Sequence, residues 1–399
     1  MLRFATAGSV DDGKSTLVGR LLHDSKSVLA DQLEAVERAS AGRGQEGPDL
    51  ALLTDGLRAE REQGITIDVA YRYFATPRRR FILADTPGHV QYTRNMVTGA
   101  STAELTVILV DARNGVVEQT RRHAAIAALL RVPHIVLAVN KMDLVGYAEE
   151  EFDRIVEDFA GHAAKLGLPG FTPVPVSALA GDNVVERSAH MSWYAGPALL
   201  EHLETVPVGA EPLDAPARFP VQYVIRHGED RHYAGQLVSG VLRVGDRVSI
   251  HPSGETSRIA GIDVLGEPAS AAYAPQSVSL RLADQRDVSR GDMITAGADV
   301  PALTQDVRAA VCHLAERPLK VGDRVLVRHT TRTVQAIVKN LDGTVGAAEL
   351  SANDLGRITL RTAEPLALDD YAHVRRTGAF LLVDPADGAT LTAGMAELP

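Results

Sequence analysis

Short apolar runs alternate with amphipathic stretches along the first half of the chain. The apolar runs are compact and often β-branched, which is typical of buried strands; they cover Phe4–Ala7, Phe81–Ala84, Thr106–Val110, His134–Val139 and Phe171–Val176. The amphipathic stretches carry apolar residues at helical spacing, most clearly in Ser15–Leu22, Gln119–Leu130 and Glu149–Leu166. Strands that alternate with helices predict an α/β domain with a mostly parallel sheet and helices on both faces. Ligands of such sheets bind at the carboxyl ends of the strands.

The pattern changes after about residue 205. Prolines at positions 207, 212, 216 and 220 interrupt the chain and indicate a linker. Beyond them the strands are short and long helical patterns disappear, which is typical of antiparallel barrels. The segment Val-Gly-Asp-Arg-Val occurs at 244–248 and again at 321–325, which indicates two similar β-modules. We therefore predict an α/β domain over 1–210 and two antiparallel β-barrel domains over 211–300 and 301–399.

Composition and charge are those of an ordinary globular protein. Of its 399 residues 45% are hydrophobic and 23% are charged, and the formal net charge is -10. Phosphates would repel such a surface, so we expect no nucleic-acid partner. The single cysteine, Cys312, is expected to be a small buried side chain, and it leaves no possibility of an internal disulfide. No apolar run approaches the roughly 20 residues that cross a bilayer, and the N-terminal run is too short for a signal peptide. We expect a cytoplasmic protein without a membrane contact.

The clearest motif directly follows the first predicted strand. The segment Gly8-Ser9-Val10-Asp11-Asp12-Gly13-Lys14-Ser15 has the P-loop pattern, with two glycines, four residues between them, and a following lysine and serine. The glycines allow backbone amides to surround phosphate oxygens, and the N-terminus of the next helix, which includes Thr16, adds positive potential. Lys14 is expected to reach the terminal phosphates and the Ser15 hydroxyl to bind Mg²⁺.

A second motif follows the second apolar strand. Asp85-Thr86-Pro87-Gly88-His89 begins where Phe81–Ala84 ends. Asp85 is expected to face the metal, and the amide of Gly88 to approach the γ-phosphate, so that this loop senses whether that phosphate is bound. Taken alone, the segment could be an ordinary turn, because Asp, Pro and Gly all favour turns.

The third motif predicts which base is bound. Asn140-Lys141-Met142-Asp143 follows the strand that ends at Val139. A carboxylate such as that of Asp143 can accept both the ring N–H and the exocyclic amine of guanine, a pairing that adenine does not offer. Asn140 and Lys141 are expected to line the base. Ser177-Ala178-Leu179 would complete the pocket with backbone contacts, although alone it would be no more than a helix cap. Together these motifs predict binding and hydrolysis of GTP, with GDP as the product.

Two segments resemble those of the translational GTPases. Glu60–Ile67 resembles their first switch, which implies that Thr66 closes over Mg²⁺ and the γ-phosphate. The Asp-Thr-Pro-Gly-His form of the second switch implies that His89 orients the attacking water, and the resemblance gives catalytic roles to His89, Lys14 and Thr66. Val10 and Ile65 match the apolar pair that shields this water. The class includes elongation factor Tu and has a GTPase domain followed by two β-barrels.

A closer resemblance links the whole chain to the GTP-binding subunits of bacterial sulfate adenylyltransferases. Asp12 and Ser15 replace the histidine and threonine usual in elongation factors, and Val90 stands where a glutamate is common in the sulfate adenylyltransferase subunits. The resemblance is carried by the P-loop and by the segments Asp49–Leu53, Asp55–Leu57, Asp68–Phe74, Gln91–Met96, Gly181–Val184, Met191–Tyr194, Gly196–Pro197, Arg218–Tyr223 and Val288–Asp292.

This second resemblance implies that two different subunits carry out two coupled reactions. GTP hydrolysis on this chain would drive adenylyl transfer from ATP to sulfate on a separate, smaller catalytic subunit, in a heterodimer or a higher assembly of heterodimers. Some members carry a fused adenylylsulfate kinase domain; the present sequence has no second P-loop, so we expect that activity to be absent. The alternatives are an elongation factor that binds aminoacyl-tRNA and a scaffold that binds the nucleotide without hydrolysing it.

Overall fold

The computed structural model describes residues 1–26, 30–41, 49–53, 69–87, 93–168, 170–208, 215–227, 230–343 and 349–398. The chain forms two compact units, Met1–Val208 and Gly209–Pro399. The three domain ranges predicted from the sequence, 1–210, 211–300 and 301–399, stay predictions. Across the described ranges no helix is both long and apolar enough to span a membrane.

The first unit is built around one sheet. Its strands are β1 (Leu2–Ala7), β2 (Ala70–Ala75), β3 (Arg80–Asp85), β4 (Leu105–Asp111), β5 (His134–Asn140) and β6 (Thr172–Pro175). Its helices are α1 (Lys14–Asp24), α2 (Ala30–Ala41), α3 (Thr93–Ser101), α4 (Glu118–Leu129), α5 (Glu149–Lys165) and α6 (Leu199–Thr205), with 3₁₀ turns at Leu50–Leu53 and Met142–Val145. The sheet order is β2-β3-β1-β4-β5-β6, in which β3, β1, β4, β5 and β6 are parallel and β2 is antiparallel to β3.

The strand order explains where a ligand can bind. The chain passes from β1 outward to β3 and then returns past β1 to β4, β5 and β6. Because crossovers between parallel strands are right-handed, the helices before and after this reversal lie on opposite faces of the sheet. The carboxyl ends of β1 and β4 therefore flank the reversal point, which is where open α/β sheets bind ligands.

The five predicted strands are confirmed, but the apolar pattern did not single out β2. This strand lies at the edge of the sheet, where Tyr71 is 45% and Tyr73 is 71% exposed while Phe74 is 5% exposed. Phe74 stacks on Phe81 at 4.6 Å between ring centroids, so one face of β2 supports the core. An edge strand that is buried on one face alone does not give the continuous apolar run of a central parallel strand.

The first half of the second unit contains a closed ring of antiparallel strands. Its strands are β7 (Ala217–His227), β8 (Asp230–Gln236), β9 (Val241–Arg243), β10 (Arg247–His251), β11 (Thr256–Val264), β12 (Glu267–Ala269), β13 (Ala271–Tyr273), β14 (Ser277–Leu282) and β15 (Met293–Ala296). The order β10-β15-β7-β8-β14-β11 closes because β10 also pairs with β11, while β12 extends β11 and β9 pairs with β13. Apolar side chains such as Phe219, Ile250 and Leu280 fill the interior.

The second half of this unit is a closed barrel with the strand order β16-β21-β19-β18-β22-β23. The elements are β16 (Ala302–His313), β17 (Leu319–Lys320), β18 (Arg324–His329), β19 (Arg332–Gly343), β20 (Glu349–Leu350), β21 (Leu355–Leu368), α7 (Arg375–Gly378), β22 (Ala379–Val383) and β23 (Thr390–Ala396). Val327, Leu360 and Leu382 belong to its core, and Cys312 is buried as predicted. The predicted class, an α/β domain followed by antiparallel barrels, is confirmed.

The repeated Val-Gly-Asp-Arg-Val segment occupies the same place in both rings. In each copy a glycine with positive φ (93° and 91°) forms a turn that leads into β10 or β18. The aspartate of the turn accepts a backbone N–H three residues earlier, from Arg243 at 2.7 Å in the first ring and from Lys320 at 3.0 Å in the second. The repeat is therefore a shared turn that starts a barrel strand.

Candidate functional site

The P-loop connects β1 to α1, as its sequence pattern predicted. Gly13 precedes the helix with φ 86°, and a Cβ at this position would collide with the side-chain amide of Asn140. Gly8 is also crowded, because a Cβ there would lie 3.1 Å from Leu109 Cβ. Asp11 adopts a positive φ of 67°, an uncommon conformation outside glycine. The positive φ and the close contact with Asn140 thus favour glycine at position 13, and a side chain at position 8 would have to displace Leu109 slightly.

Asp12 fixes the shape of the loop from inside. Its carboxylate accepts the backbone N–H of Ser9 at 2.6 Å, and the residue is only 4% exposed. Burial raises the pKa of Asp12 to about 6, with the nearby Asp111 carboxylate acting in the same direction. Val10, in contrast, is 43% exposed on the loop surface. The Asp12 side chain therefore points into the loop and holds its backbone, whereas Val10 faces the solvent.

Lys14 and Asp85 meet at the phosphate end of the site. Lys14 is 8% exposed, and its Nζ lies 3.6 Å from Asp85 Oδ1 at the end of β3. The same oxygen accepts the Thr6 hydroxyl at 3.1 Å, so β1 holds the carboxylate in place. Ser15 and Thr16 follow Lys14 in the first turn of α1 and are partly exposed. The structure thus places Lys14, predicted to reach the phosphates, beside Asp85, predicted to face the metal.

Asn140 joins three loops with a single side chain. Its Nδ2 donates to the backbone carbonyl of Asp12 at 2.7 Å, and its Oδ1 accepts the backbone N–H of Ala178 at 2.9 Å. The residue is 2% exposed. Lys141 has a positive φ of 62°, and its Nζ donates to the carbonyl of Asp11. The predicted base-recognition segment is therefore bonded directly to the P-loop.

Asp143 presents a buried acceptor at the predicted base site. Its Oδ1 is buried, and among the described residues it has no hydrogen-bond partner; the same holds for Ser9 Oγ in the P-loop. Buried polar atoms normally have partners, so an isolated acceptor at a predicted base site matches a donor supplied by a ligand. Nearby, Ser177 Oγ accepts the N–H of Ala180 at 3.2 Å, and Leu179 is 74% exposed.

Two charged residues of the site were missed by the sequence reasoning. Asp111 ends β4, is 1% exposed, and lies 3.0 Å from the Nζ of Lys141. Its position after the strand Thr106–Val110 repeats the signal that identified Asp85, so the sequence offered a way to find it. Arg20 of α1 donates to the carbonyls of Ala178 at 3.2 Å and of Leu179 at 2.5 Å. No sequence signal distinguishes Arg20 from other helical arginines.

The Met191–Tyr194 segment, which carried part of the resemblance, supports the loop after Asp143. Trp193 Nε1 donates to the carbonyl of Tyr147 at 3.0 Å. The Tyr147 hydroxyl in turn donates to Asp182 Oδ2 at 2.9 Å. Asp182 lies just after Ser177–Leu179. The contacts of Trp193 and Tyr147 therefore link the loop after Asp143 to the loop that contains Ser177–Leu179.

Three predicted site residues, Thr66, Gly88 and His89, lie outside the described residues, as does Ile65 of the predicted apolar pair. Their assigned roles stay predictions. The other predicted residues lie on the loops at the carboxyl ends of β1, β3, β5 and β6, or in the first turn of α1.

Two family models match parts of this chain. Residues 1–211 match the family model of the elongation factor Tu GTP binding domain, and residues 306–397 match that of the GTP-eEF1A C-terminal domain-like family. The first match covers the P-loop and both predicted base loops. The predicted binding of GTP and GDP is thereby confirmed at the level of the family.

Three curated relatives extend over nearly the whole chain. The bifunctional enzyme CysN/CysC of Mycobacterium tuberculosis (strain H37Rv) is 54% identical over 99% of this chain and 67% of its own length. Sulfate adenylyltransferase subunit 1 of Cellvibrio japonicus is 48% identical over 99% of this chain and 86% of its own length. Sulfate adenylyltransferase subunit 1 of Bacteroides fragilis is 47% identical over 99% of this chain and 85% of its own length. The chain is a GTPase that belongs to the sulfate adenylyltransferase subunit 1 family, within the elongation factor Tu-like GTPases.

Proposed function

We propose that this chain couples GTP hydrolysis to adenylyl transfer from ATP to sulfate, which forms adenylyl sulfate and pyrophosphate on a separate, smaller subunit. The choice of GTP is carried by one observation: the Oδ1 of Asp143 is buried and has no hydrogen-bond partner within the part of the chain that the structure describes. The family membership supports the reaction, and the name "subunit 1" of the relatives supports a heteromeric assembly.

Guanine recognition is assigned to the loops after β5 and β6. Asp143 Oδ1 accepts the ring N–H of guanine, and the other carboxylate oxygen accepts the exocyclic amine. Asn140 holds its loop against the P-loop and Ala178, so the carboxylate needs little reorganisation when the base enters. The stem of Lys141 lies along the base plane.

The residues present fit a magnesium ion. Mg²⁺ prefers oxygen ligands and is usually held by one or two protein groups together with phosphates and water. The Asp85 carboxylate already faces a cation, the Lys14 ammonium at 3.6 Å. Asp85, Ser15 and Thr66 would hold the ion. When bound, it would neutralise charge on the phosphate oxygens.

Hydrolysis is assigned to three residues of this chain. Lys14 stabilises charge on the terminal phosphates, and His89 orients the attacking water. Thr66 closes over Mg²⁺ and the γ-phosphate, and Val10 with Ile65 shields the attacking water from His89 until the GTPase is activated. Gly88 donates its amide to the γ-phosphate, so that the loop after β3 responds to hydrolysis.

A physical reason exists for joining the two reactions. Adenylyl sulfate is a mixed anhydride of high energy, so its formation from ATP is strongly uphill. A GTPase can drive such a step only if the smaller subunit binds the GTP and GDP forms with different affinities. The switch segments around Thr66 and His89, with one or both barrels, are proposed to face the partner.

The test is reconstitution with the smaller subunit, expressed from the neighbouring genes. Pyrophosphate release from ATP and sulfate is expected to require GTP, and phosphate release from GTP is expected to rise when ATP and sulfate are both present. GTP turnover that ignores the smaller subunit, ATP and sulfate together would refute the coupling.

Asp143→Asn supplies an internal control for the same assay. An amide presents a donor where guanine needs an acceptor, so the variant should lose GTP affinity by about 100-fold and accept xanthosine triphosphate instead. Pyrophosphate release by the variant complex should then depend on xanthosine triphosphate. If pyrophosphate release by the variant complex still depended on GTP, Asp143 would not be the residue that recognises the base. This conclusion about the base site is independent of the result on coupling.

A further inference from the structure

Asp111 lies at the end of β4 and contacts two cations. Its Oδ1 accepts the backbone N–H of Arg113 at 3.0 Å and the Nε of the same residue at 3.0 Å, while its Oδ2 accepts Nη2 at 2.6 Å. The Nζ of Lys141 lies 3.0 Å from Oδ2. Asp111 is 1% exposed, and both of its oxygens are occupied by donors of this chain.

This carboxylate fixes the position of one ammonium group. The Nζ of Lys141 lies between Asp111 and the backbone carbonyl of Asp11, so the P-loop, β4 and the loop after β5 meet at one atom. Asp11 and Lys141 both have positive φ, 67° and 62°. Such conformations are strained in residues other than glycine and persist only when surrounding contacts hold them.

The charge of Asp111 is permanent under working conditions. Burial acts to raise its pKa, but the hydrogen bonds from Arg113 and Lys141 outweigh burial and lower the pKa to about 2. The Arg113 side chain is half exposed and bonds to both oxygens of the carboxylate. Asp111 therefore offers Lys141 a fixed anionic partner.

We propose that Asp111 is a positioning residue for nucleotide retention, which holds the Lys141 ammonium against the P-loop and so preorganises the guanine loop. The inference rests on the proposed role of Lys141 at the base. Losing a fixed charged partner would let Lys141 and its loop leave the P-loop more often. Nucleotide would then be released faster.

The experiment is a double-mutant cycle on the full chain, read as the dissociation rate of fluorescent N-methylanthraniloyl-GDP. Asp111→Asn keeps the shape and removes the charge, and it should speed release by about 10-fold, the order expected for one hydrogen bond to a charged group. Lys141→Ala should speed release at least as much. The double variant should release GDP no faster than Lys141→Ala alone, because Asp111 acts through Lys141.

Glu104→Gln is the matched control. Glu104 lies just before the first residue of β4, at the end of the strand opposite to Asp111, and accepts the backbone N–H of Arg3 at 3.0 Å. The substitution therefore also neutralises a hydrogen-bonded carboxylate, but one away from the P-loop and the loop after β5. Its GDP release should equal that of the wild type. Melting temperatures of all variants without nucleotide separate loss of fold from loss of retention, because bound GDP would itself raise the melting temperature in proportion to its affinity.

The outcomes separate the inference from the proposed function. If Lys141→Ala leaves GDP release unchanged, the proposed base loop is wrong. If Lys141→Ala speeds release but Asp111→Asn does not, or if the two effects multiply in the double variant, the positioning role of Asp111 is overturned. A lower melting temperature of Asp111→Asn with unchanged release would likewise leave it a purely structural residue.

Discussion

Replacing Asn140 by alanine tests the idea that one side chain joins the P-loop to both base loops. The substitution removes the partners of the Asp12 carbonyl and the Ala178 N–H, bonded at 2.7 and 2.9 Å. Asp12 and Ala178 are at most 4% exposed, so water reaches the carbonyl of Asp12 and the N–H of Ala178 poorly. An unsatisfied buried polar group costs about 1–3 kcal/mol, which gives about 2–6 kcal/mol for the pair. Loops that relax to relieve this cost must be brought back together when GDP binds, so GDP affinity should fall by about 30-fold, the factor that corresponds to about 2 kcal/mol.

Isothermal titration with GDP measures this loss directly. Asn183→Ala is a suitable control, because Asn183 is also buried and joins two backbone groups, the carbonyl of Pro175 at 2.9 Å and the N–H of Ser188 at 2.7 Å. It should lower the melting temperature comparably but reduce GDP affinity by less than about 10-fold. Equal affinity losses in the two variants would show that Asn140 acts through general stability, and an unchanged affinity in Asn140→Ala would refute the joining role.

Two further predictions concern catalysis and pH. His89→Ala should bind GTP with nearly wild-type affinity but hydrolyse it about 100-fold more slowly in single-turnover assays, since general acid–base or water-orienting groups contribute about 10²–10⁴; preserved turnover would move that role to another residue. Burial, aided by the charge of Lys14, lowers the pKa of His123 to about 3 from 6.5. The unfolded chain therefore takes up this proton first, so the stability that neutral His123 contributes is complete above about pH 6.5 and is lost as the pH falls towards 3. The melting temperature of His123→Gln should fall less steeply than that of the wild type between about pH 7 and pH 4.5, and parallel curves would count against this assignment.

The sequence predicted those parts of the fold that depend on local pattern. Central strands such as β4 are buried on both faces and give continuous apolar runs, and the P-loop needs its glycines at fixed spacing. Edge strand β2 was missed because the charged Arg72 interrupts its apolar run. The repeated Val-Gly-Asp turn indicated two related modules, since the same glycine conformation and the same carboxylate bond start a strand in each.

The residues that support the site were harder to predict than those assigned to the nucleotide. A phosphate or a base imposes its own chemistry on the side chains that touch it, so Lys14 and Asp143 stand out by type and spacing. Arg20 donates to backbone carbonyls of a loop 158 and 159 positions away, and its one nearby ion pair among the described residues, with Asp24 at 3.7 Å, is an ordinary helical pair that gives no sign of that loop. Asp111 is intermediate, because a carboxylate that directly follows a buried strand costs free energy unless a cation meets it. Such a residue therefore predicts a charged partner, and Arg113 stands two positions away in the sequence. Only the strand order brings in the second partner, Lys141.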